Sequence, residues 1–299
     1  MCYDTLFTLD GTHIRGYLLT RLIGNGSFGA VYEGKCGLDT IAMKVSTEEE
    51  DLQIEAATLQ KLYYSDVSPK FHFTGRYGPY HIIGLELVGP DLELLRDKAA
   101  WKSFKRHTLV RVTYQAMKCL EAVHKMRIVH RDVKLANFAV TLPTNPENRV
   151  VVKILDFGLS HNYADEDGTL REDSRNLDLR AMKYASHDVN IGCDVMPKDD
   201  ICQLSFAVIY ASGFDFAQQL KLPAKQLLDW KQELIRKPED TLPHQTKVML
   251  PFFDIVGELD DVRPINYSLI KERIQACMPE INVASDLILT EDDGEPLLV

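Results

Sequence analysis

The stretch VHRDVKLANFAV at residues 129–140 constrains this chain more than any other part of it. It sets His130, Arg131 and Asp132 side by side, then Lys134 and Asn137, and the tripeptide Asp156-Phe157-Gly158 follows. Such a string could be a working phosphate-transfer loop, the relic of one, or a chance run in a buried helix. A reading in which every one of these polar groups is structural needs several coincidences in the right order. Phosphoryl transfer asks a protein mainly for positioning and charge neutralisation. Asp132 would accept or orient the proton of an attacking hydroxyl, and Lys134 would neutralise charge on the transferred group. Asn137 and Asp156 would supply oxygen ligands for magnesium, a hard cation that prefers them.

The glycine pattern GNGSFG, with Gly24, Gly26 and Gly29, is weaker, because G-x-G-x-x-G also occurs in ordinary hairpin turns. Its context separates two nucleotide readings. In a dinucleotide fold the glycines open a helix and an acidic residue follows about 20 positions later. Here AVYEG follows, which alternates like a strand. A strand–glycine–strand loop folds over phosphates, where missing side chains let backbone N–H groups approach. Val31 would then cover an adenine ring. Lys44, in IAMK, would hold the α- and β-phosphates, oriented by Glu55 of the next helical stretch.

The rest of the chain divides by periodicity. YLLTRLIGNG, FGAVYEG and TIAMKV read as strands. A helix follows, with Thr47 and Glu50 in a capping-box pattern, acidic residues in its first turn, and Leu52, Leu59 and Leu62 at helical spacing. PYHIIGLELVGPDLELL runs a strand into a break at Gly89 and Pro90. Beyond it Leu109, Val112, Ala116, Cys119 and Val123 share a face of a long amphipathic helix. Two short strands flank the turn-rich LPTNPENR, and DDICQLSFAVIYASG is apolar enough to be a buried helix. Helices are expected near residues 224–237, 244–257 and 266–278, and the acidic end, TEDDGEPLLV, is expected to be a loosely held tail.

Composition narrows the classes. With 299 residues, 45% hydrophobic and 26% charged, the chain can bury a sizeable core. A net charge of −10 argues against non-specific nucleic-acid binding. No apolar run approaches a membrane span, and the first residues lack the pattern of a secretory signal. The six cysteines show no CxxC spacing, which fits reduced thiols in the cytosol or nucleus better than a disulfide framework or zinc site.

Taken together these motifs resemble the eukaryotic protein kinases, and within them the casein kinase 1 group, near its divergent tau-tubulin-kinase-like and nematode branches. The group-level resemblance rests on LELVGPDLELL, on KYAS at residues 183–186 where most kinases carry Ala-Pro-Glu, on PKDDICQLSFAV, and on LDDVRPINYSLIKERI. It runs from about Arg15 to Met278. It implies an α+β bilobal fold: a small β-rich lobe with one main helix over residues 1–88, a larger helical lobe over 89–278, and the tail at 279–299. It further implies an ATP- and Mg2+-dependent serine/threonine kinase, monomeric, acting on proteins near acidic or already phosphorylated residues, with no nucleic-acid or membrane partner. By the same resemblance Leu85 would be the gatekeeper. The Glu86 carbonyl and Val88 backbone would bond adenine, and Ile23, Val31, Ala42 and Leu155 would line its pocket. Asp200 would brace the catalytic loop, and Lys183 would meet an anion on the substrate or the loop.

The pattern breaks in places. Leu135 stands for the usual proline after the catalytic lysine, Ser205 for a common glycine, and Arg180-Ala181 for Gly-Thr. The missing threonine hydroxyl would have bonded the catalytic aspartate and lysine, and orientation errors of about 1 Å can cost on the order of 100-fold in rate. Ala181 thus keeps open an alternative, an ATP-binding pseudokinase or scaffold that transfers phosphate weakly or not at all. Arg131 is a candidate to receive a phosphate from Thr169 or Ser174, and Thr290 lies in the acidic end that could act as an autoinhibitor.

Overall fold

The computed structural model describes residues 9–26, 29–143, 149–173, 175, 177–179, 182–261, 263–292 and 295–298. It forms two compact units, Met1–Gly89 with Leu155–Ser160, and Pro90–Ile154 with His161–Val299. The chain passes between them at Gly89 and Pro90, and twice more at the two ends of the segment that carries Asp156.

The first unit is a six-stranded antiparallel sheet with one helix. Strands β1 (His13–Ile14), β2 (Tyr17–Gly26), β3 (Gly29–Cys36) and β4 (Asp39–Ser46) precede helix α1 (Glu49–Lys61), and β5 (Phe71–Tyr77) and β6 (Tyr80–Glu86) follow it. The sheet order is β1-β2-β3-β4-β6-β5. Side chains alternate across a strand, so register decides which residues share a face. Ala30 pairs with Val45 and Tyr32 with Met43, and all four sit in the buried apolar cluster with Leu19, Ile41 and Ile82. Gly24–Val31, Val31–Lys44, Lys44–Ile83 and Ala42–Leu85 are the intervening pairs, so they occupy the opposite face. One alternation therefore builds a core on one side and a site on the other.

Helix α1 turns Leu52, Glu55, Ala56 and Leu59 inward at helical spacing. Its first turn is acidic, as expected, but the capping box does not form. The N-cap is Glu48 with no side-chain cap bond, and its backbone N–H is taken by Ser46 Oγ at 3.0 Å.

The second unit is mainly helical: α2 (Leu92–Lys98), α3 (Arg106–Lys125), α4 (His187–Asn190), α5 (Pro197–Ala211), α6 (Ala224–Arg236), α7 (Pro238–Thr241), α8 (Leu250–Val256) and α9 (Tyr267–Ala276). Strands β7 (Ile128–Val129) and β10 (His161–Asn162) pair antiparallel, as do β8 (Phe138–Val140) and β9 (Val152–Ile154). Helix α3 buries the expected stripe and packs on α5 and α9, while α5 is buried on most sides. Ser205 fits this interior because its hydroxyl donates to the Cys202 carbonyl at 2.7 Å.

The chain's end departs from the expected loose tail. Leu289–Asp292 (β11) and Glu295–Leu298 (β12) form an antiparallel hairpin that packs on α2. Val283, Leu287 and Leu298 are buried, and Arg149 holds Asp286 at 2.6 Å. The apolar residues interleaved with the acidic ones supply the anchor that charge alone did not suggest.

On the first unit's sheet, Glu33 accepts from Thr20 at 3.0 Å and pairs with Arg21 and Lys35 at 2.8 and 2.9 Å. The Lys35 bond, with those of Arg21 and Thr20, outweighs burial and lowers its pKa from 4.5 to about 2. A carboxyl depressed on folding stabilises the fold above its unfolded pKa, and that contribution disappears as pH falls through its folded one. Glu33→Gln is therefore expected to lower the thermal midpoint at pH 7. Its gap to wild type should close between pH 4.5 and about pH 2.

Candidate active site

The loop at residues 130–133 hangs on one buried carboxylate. Asp200 lies in the first turn of α5, where the helix dipole favours negative charge, and is completely inaccessible. Its Oδ1 accepts from Arg131 N at 2.8 Å, and its Oδ2 from His130 N at 2.7 Å and His124 Nε2 at 2.9 Å. Burial alone would raise its pKa, but the bonds from His124 and the loop hold it below the usual carboxylate range. His124 is itself fixed, with Nδ1 2.5 Å from the Tyr267 hydroxyl on α9.

Gln203, one turn further along α5, completes the clamp. Its Oε1 accepts from Val133 N at 2.7 Å and its Nε2 donates to the Arg131 carbonyl at 3.1 Å. Held at both ends, Arg131 takes φ 75°, a left-handed conformation that non-glycine residues keep only where surroundings over-determine it. Sequence reasoning found Asp200 but missed Gln203, His124 and Tyr267. The available signal was a polar residue three positions after Asp200 in an otherwise apolar helix.

The loop delivers Asp132 with its carboxylate already oriented. Lys134 Nζ donates to Asp132 Oδ2 at 2.7 Å, and Asn137 Nδ2 donates to the same oxygen at 3.0 Å and to the Asp132 carbonyl at 2.7 Å. Residues Leu135–Asn137 form one 3-10 turn, with Leu135 buried in the place where a proline is usual. Because the Asn137 amide nitrogen is committed to Asp132, its amide oxygen is the atom it can offer a cation. Beside these groups lies a cavity of about 300 Å³ lined by Glu93, Asp132, Lys134, Leu135, Met182 and Tyr184.

Lys183 also lines this cavity, with Nζ 4.4 Å from the centre of the Tyr210 ring and 4.9 Å from that of Tyr184. Burial lowers its pKa, against the opposing pull of Glu93 and Asp215.

Arg131 does not meet Thr169. Its Nη1 pairs with Asp173, a carboxylate that Arg175 also grips, with its backbone N–H at 2.9 Å and its guanidinium at 3.2 Å. The bonds from Arg175 and Arg131 overcome burial and hold Asp173 well below the usual carboxylate range. An acidic side chain thus occupies the position expected for a phosphate. Ser174 and the Arg180-Ala181 pair lie outside the described residues.

In the first unit, Lys44 is 7% exposed and Glu55 2%. Lys44 Nζ lies 2.6 Å from Glu55 Oε2 and 2.8 Å from Asp156 Oδ1. Burial would lower the Lys44 pKa, but the two carboxylates reverse that and keep it an ammonium. Glu55 is pushed up by burial and pulled back by Lys44, and it also accepts from the Phe157 backbone. Asp156 adopts φ 61°, and Thr58 and Ser160 share a bond of 3.0 Å that ties this segment to α1. Val31, Ala42 and Leu85 share the Lys44 face of the sheet, while Ile23 is 36% exposed and Leu155 and Val88 are half-buried. The Glu86 N–H is held by the Lys70 carbonyl at 2.9 Å.

The three glycines are not equivalent. A Cβ on Gly29, at φ 122°, would sit 2.1 Å from the Val45 carbonyl oxygen, so the fold itself requires glycine there. A Cβ on Gly24 would meet only Val31, at 3.8 Å, and one on Gly26 would meet nothing within 4 Å. Internal packing makes no demand at these two positions, which suits a backbone that must be approached closely by a phosphate.

Gln203→Leu removes both of that residue's bonds and leaves Val133 N and the Arg131 carbonyl buried without partners. A loss of about 1–3 kcal/mol in thermal or denaturant unfolding is expected, with Gln203→Glu intermediate because it keeps the acceptor for Val133.

Comparison with known proteins agrees with this geometry. The chain matches the protein kinase domain over residues 17–176. A probable serine/threonine-protein kinase of Dictyostelium discoideum is 30% identical over 250 residues, covering 81% of this chain and 49% of that protein. The chain thus spans about half the length of the curated relative it matches. No helix among the described residues is long and apolar enough to cross a membrane. With a β-rich unit holding Lys44, Glu55 and Asp156, and a helical unit presenting Asp132, Lys134 and Asn137 from a clamped loop, the chain belongs to the protein kinase domain family.

Proposed function

We propose that this protein is a serine/threonine kinase that moves the γ-phosphoryl group of Mg-ATP to a protein hydroxyl. The observation that carries this reading is the Asp132–Lys134–Asn137 constellation. It is oriented to within hydrogen-bond distances and held by backbone bonds to Asp200 and Gln203. Bound Mg-ATP would supply the phosphoryl group and the neutralising cation. Asp132 is placed to accept the substrate hydroxyl proton through Oδ1, because both of its neighbours bond Oδ2. Lys134 answers charge on the transferred group, and Lys44, kept charged by its carboxylate partners, is suited to phosphates. Asp156 and Asn137 are the oxygen donors a hard cation takes. Ile23, Val31, Ala42 and Leu85, with the Glu86 and Val88 backbone, form the adenine side, and Gly24, Gly26 and Gly29 the phosphate cover.

The finer placement follows the sequence. A casein kinase 1-like enzyme is supported by KYAS at residues 183–186 and by Asp173 filling the Arg131 pocket without a phosphate. Lys183, an exposed ammonium lining the cavity beside Asp132, supports substrates with acidic or phosphorylated neighbours. The free cysteines among the described residues support a reducing compartment, the cytosol or nucleus, and we take the enzyme to act as a monomer.

Transfer of label from Mg-ATP to casein tests the reading. Wild type is expected to transfer phosphate. Asp132→Asn should lose at least about 100-fold in kcat, the usual scale for a proton-transfer group, and Asp156→Asn, which removes an oxygen donor for the cation, should also lose transfer. ATP binding by a wild type no more active than these variants would instead indicate a scaffold, the alternative attached to Ala181. The glycines give a second test. Gly26→Ala should leave the thermal midpoint close to wild type while weakening ATP binding. Gly29→Ala should cost on the order of 1–3 kcal/mol or more in stability.

A further inference from the structure

Helix α6 carries a lysine where an apolar residue belongs. Lys231 and Leu234 are its buried residues, and Lys231 is only 3% exposed. A buried ammonium ordinarily pairs with a carboxylate, since taking the charge out of water is costly. Among the described residues no carboxylate pairs with it. The carboxylates around α4 and the start of α5 are engaged with other groups: Asp188 with Lys198, Asp261 with the same lysine at 2.9 Å, and Asp199 with Ser186 at 2.5 Å and Met196 N at 2.8 Å. The titratable group facing Lys231 from α5 is Cys202, a thiol that burial pushes up to about 12 and so leaves neutral. The Phe206 ring lies 5.6 Å from Nζ.

What Lys231 does touch is informative. Its Nζ donates to the Ala185 carbonyl at 2.8 Å and to Asn190 Oδ1 at 3.0 Å. Those two acceptors bracket the stretch that Ser186 opens as the N-cap of α4. Ala185 at its start, with Met182 and Tyr184 just before it, lines the cavity that also holds Asp132 and Lys134. Asp199 pins the same stretch from α5 through Ser186. We propose that Lys231 is a positioning residue for the protein substrate, fixing Ala185 and Asn190 from α6 so that the cavity wall faces Asp132 in one arrangement. The inference rests on the kinase reading above. Its chemistry explains the lysine: two neutral acceptors need two N–H donors on a long arm. An amine supplies these whether or not it is protonated, which suits a pKa lowered by burial to about 8.

The test compares Lys231→Met, Lys231→Arg and Asn190→Ala with wild type, at a temperature where all remain folded. KM for casein should rise about tenfold in Lys231→Met, the scale of one lost bond from a charged donor. KM for ATP should stay within about twofold of wild type, Lys231→Arg should restore most of the casein KM, and Asn190→Ala should shift it less. Amide hydrogen exchange of residues 182–192 should quicken in Lys231→Met and not in Lys231→Arg, a readout that needs no turnover. An unchanged casein KM, a parallel rise in the ATP KM, activity loss that merely follows the thermal midpoint, or unchanged exchange overturns the proposal. If wild type transfers no phosphate, the kinase reading has failed, and exchange alone then decides whether Lys231 holds the segment.

Discussion

A single fully buried charge organises the second unit. Asp200 cannot be hydrated, so it must find donors within the protein, and it finds them in two consecutive backbone N–H groups and an imidazole. Those bonds set the path of the chain at His130 and Arg131. With Gln203 they force Arg131 into its left-handed conformation, and from there Asp132 emerges with its carboxylate between Lys134 and Asn137. The cost of leaving that charge without partners is what makes the loop one defined shape rather than several.

The first unit uses charge differently. Lys44 bridges two carboxylates on separate elements, one on α1 and one at Asp156, so helix position and the Asp156-Phe157-Gly158 segment are coupled through one ammonium. Gly29 contributes sterically, letting the tip of β3 approach the Val45 carbonyl. In the second unit Asp173 pairs with Arg131, and Asp199 and Lys231 hold the stretch after Tyr184.

Much of this was legible in the chain itself. β-rich stretches between glycines predicted β2, β3 and β4, helical spacing predicted α1 and α3, and length with apolarity on most sides predicted α5. The HRD-x-K-x-x-N and DFG strings named Asp132, Lys134, Asn137 and Asp156, and IAMK with the next helix named Lys44 and Glu55, which the fold brings to 2.6 Å. The failures share a cause. Thr47 and Glu50 form a capping-box pattern, but the helix takes Glu48 as its N-cap; the acidic end looked loose until its leucines met α2. Local pattern proposes a partner, and tertiary competition decides which partner is taken.

The sequence by itself determined the chemistry on offer: the catalytic residue types, their order, and the alternation that sorts sheet residues into core and site faces. Only the tertiary structure decided the pairings across long separations. It joined Gln203 to a loop some seventy residues earlier, gave Arg131 to Asp173 rather than Thr169, and turned Lys231 inward against Ala185. Spacing carries local geometry because helix and strand repeat, but no repeat relates residues so far apart. Their meeting is set by how helices pack and by which buried charges must be satisfied.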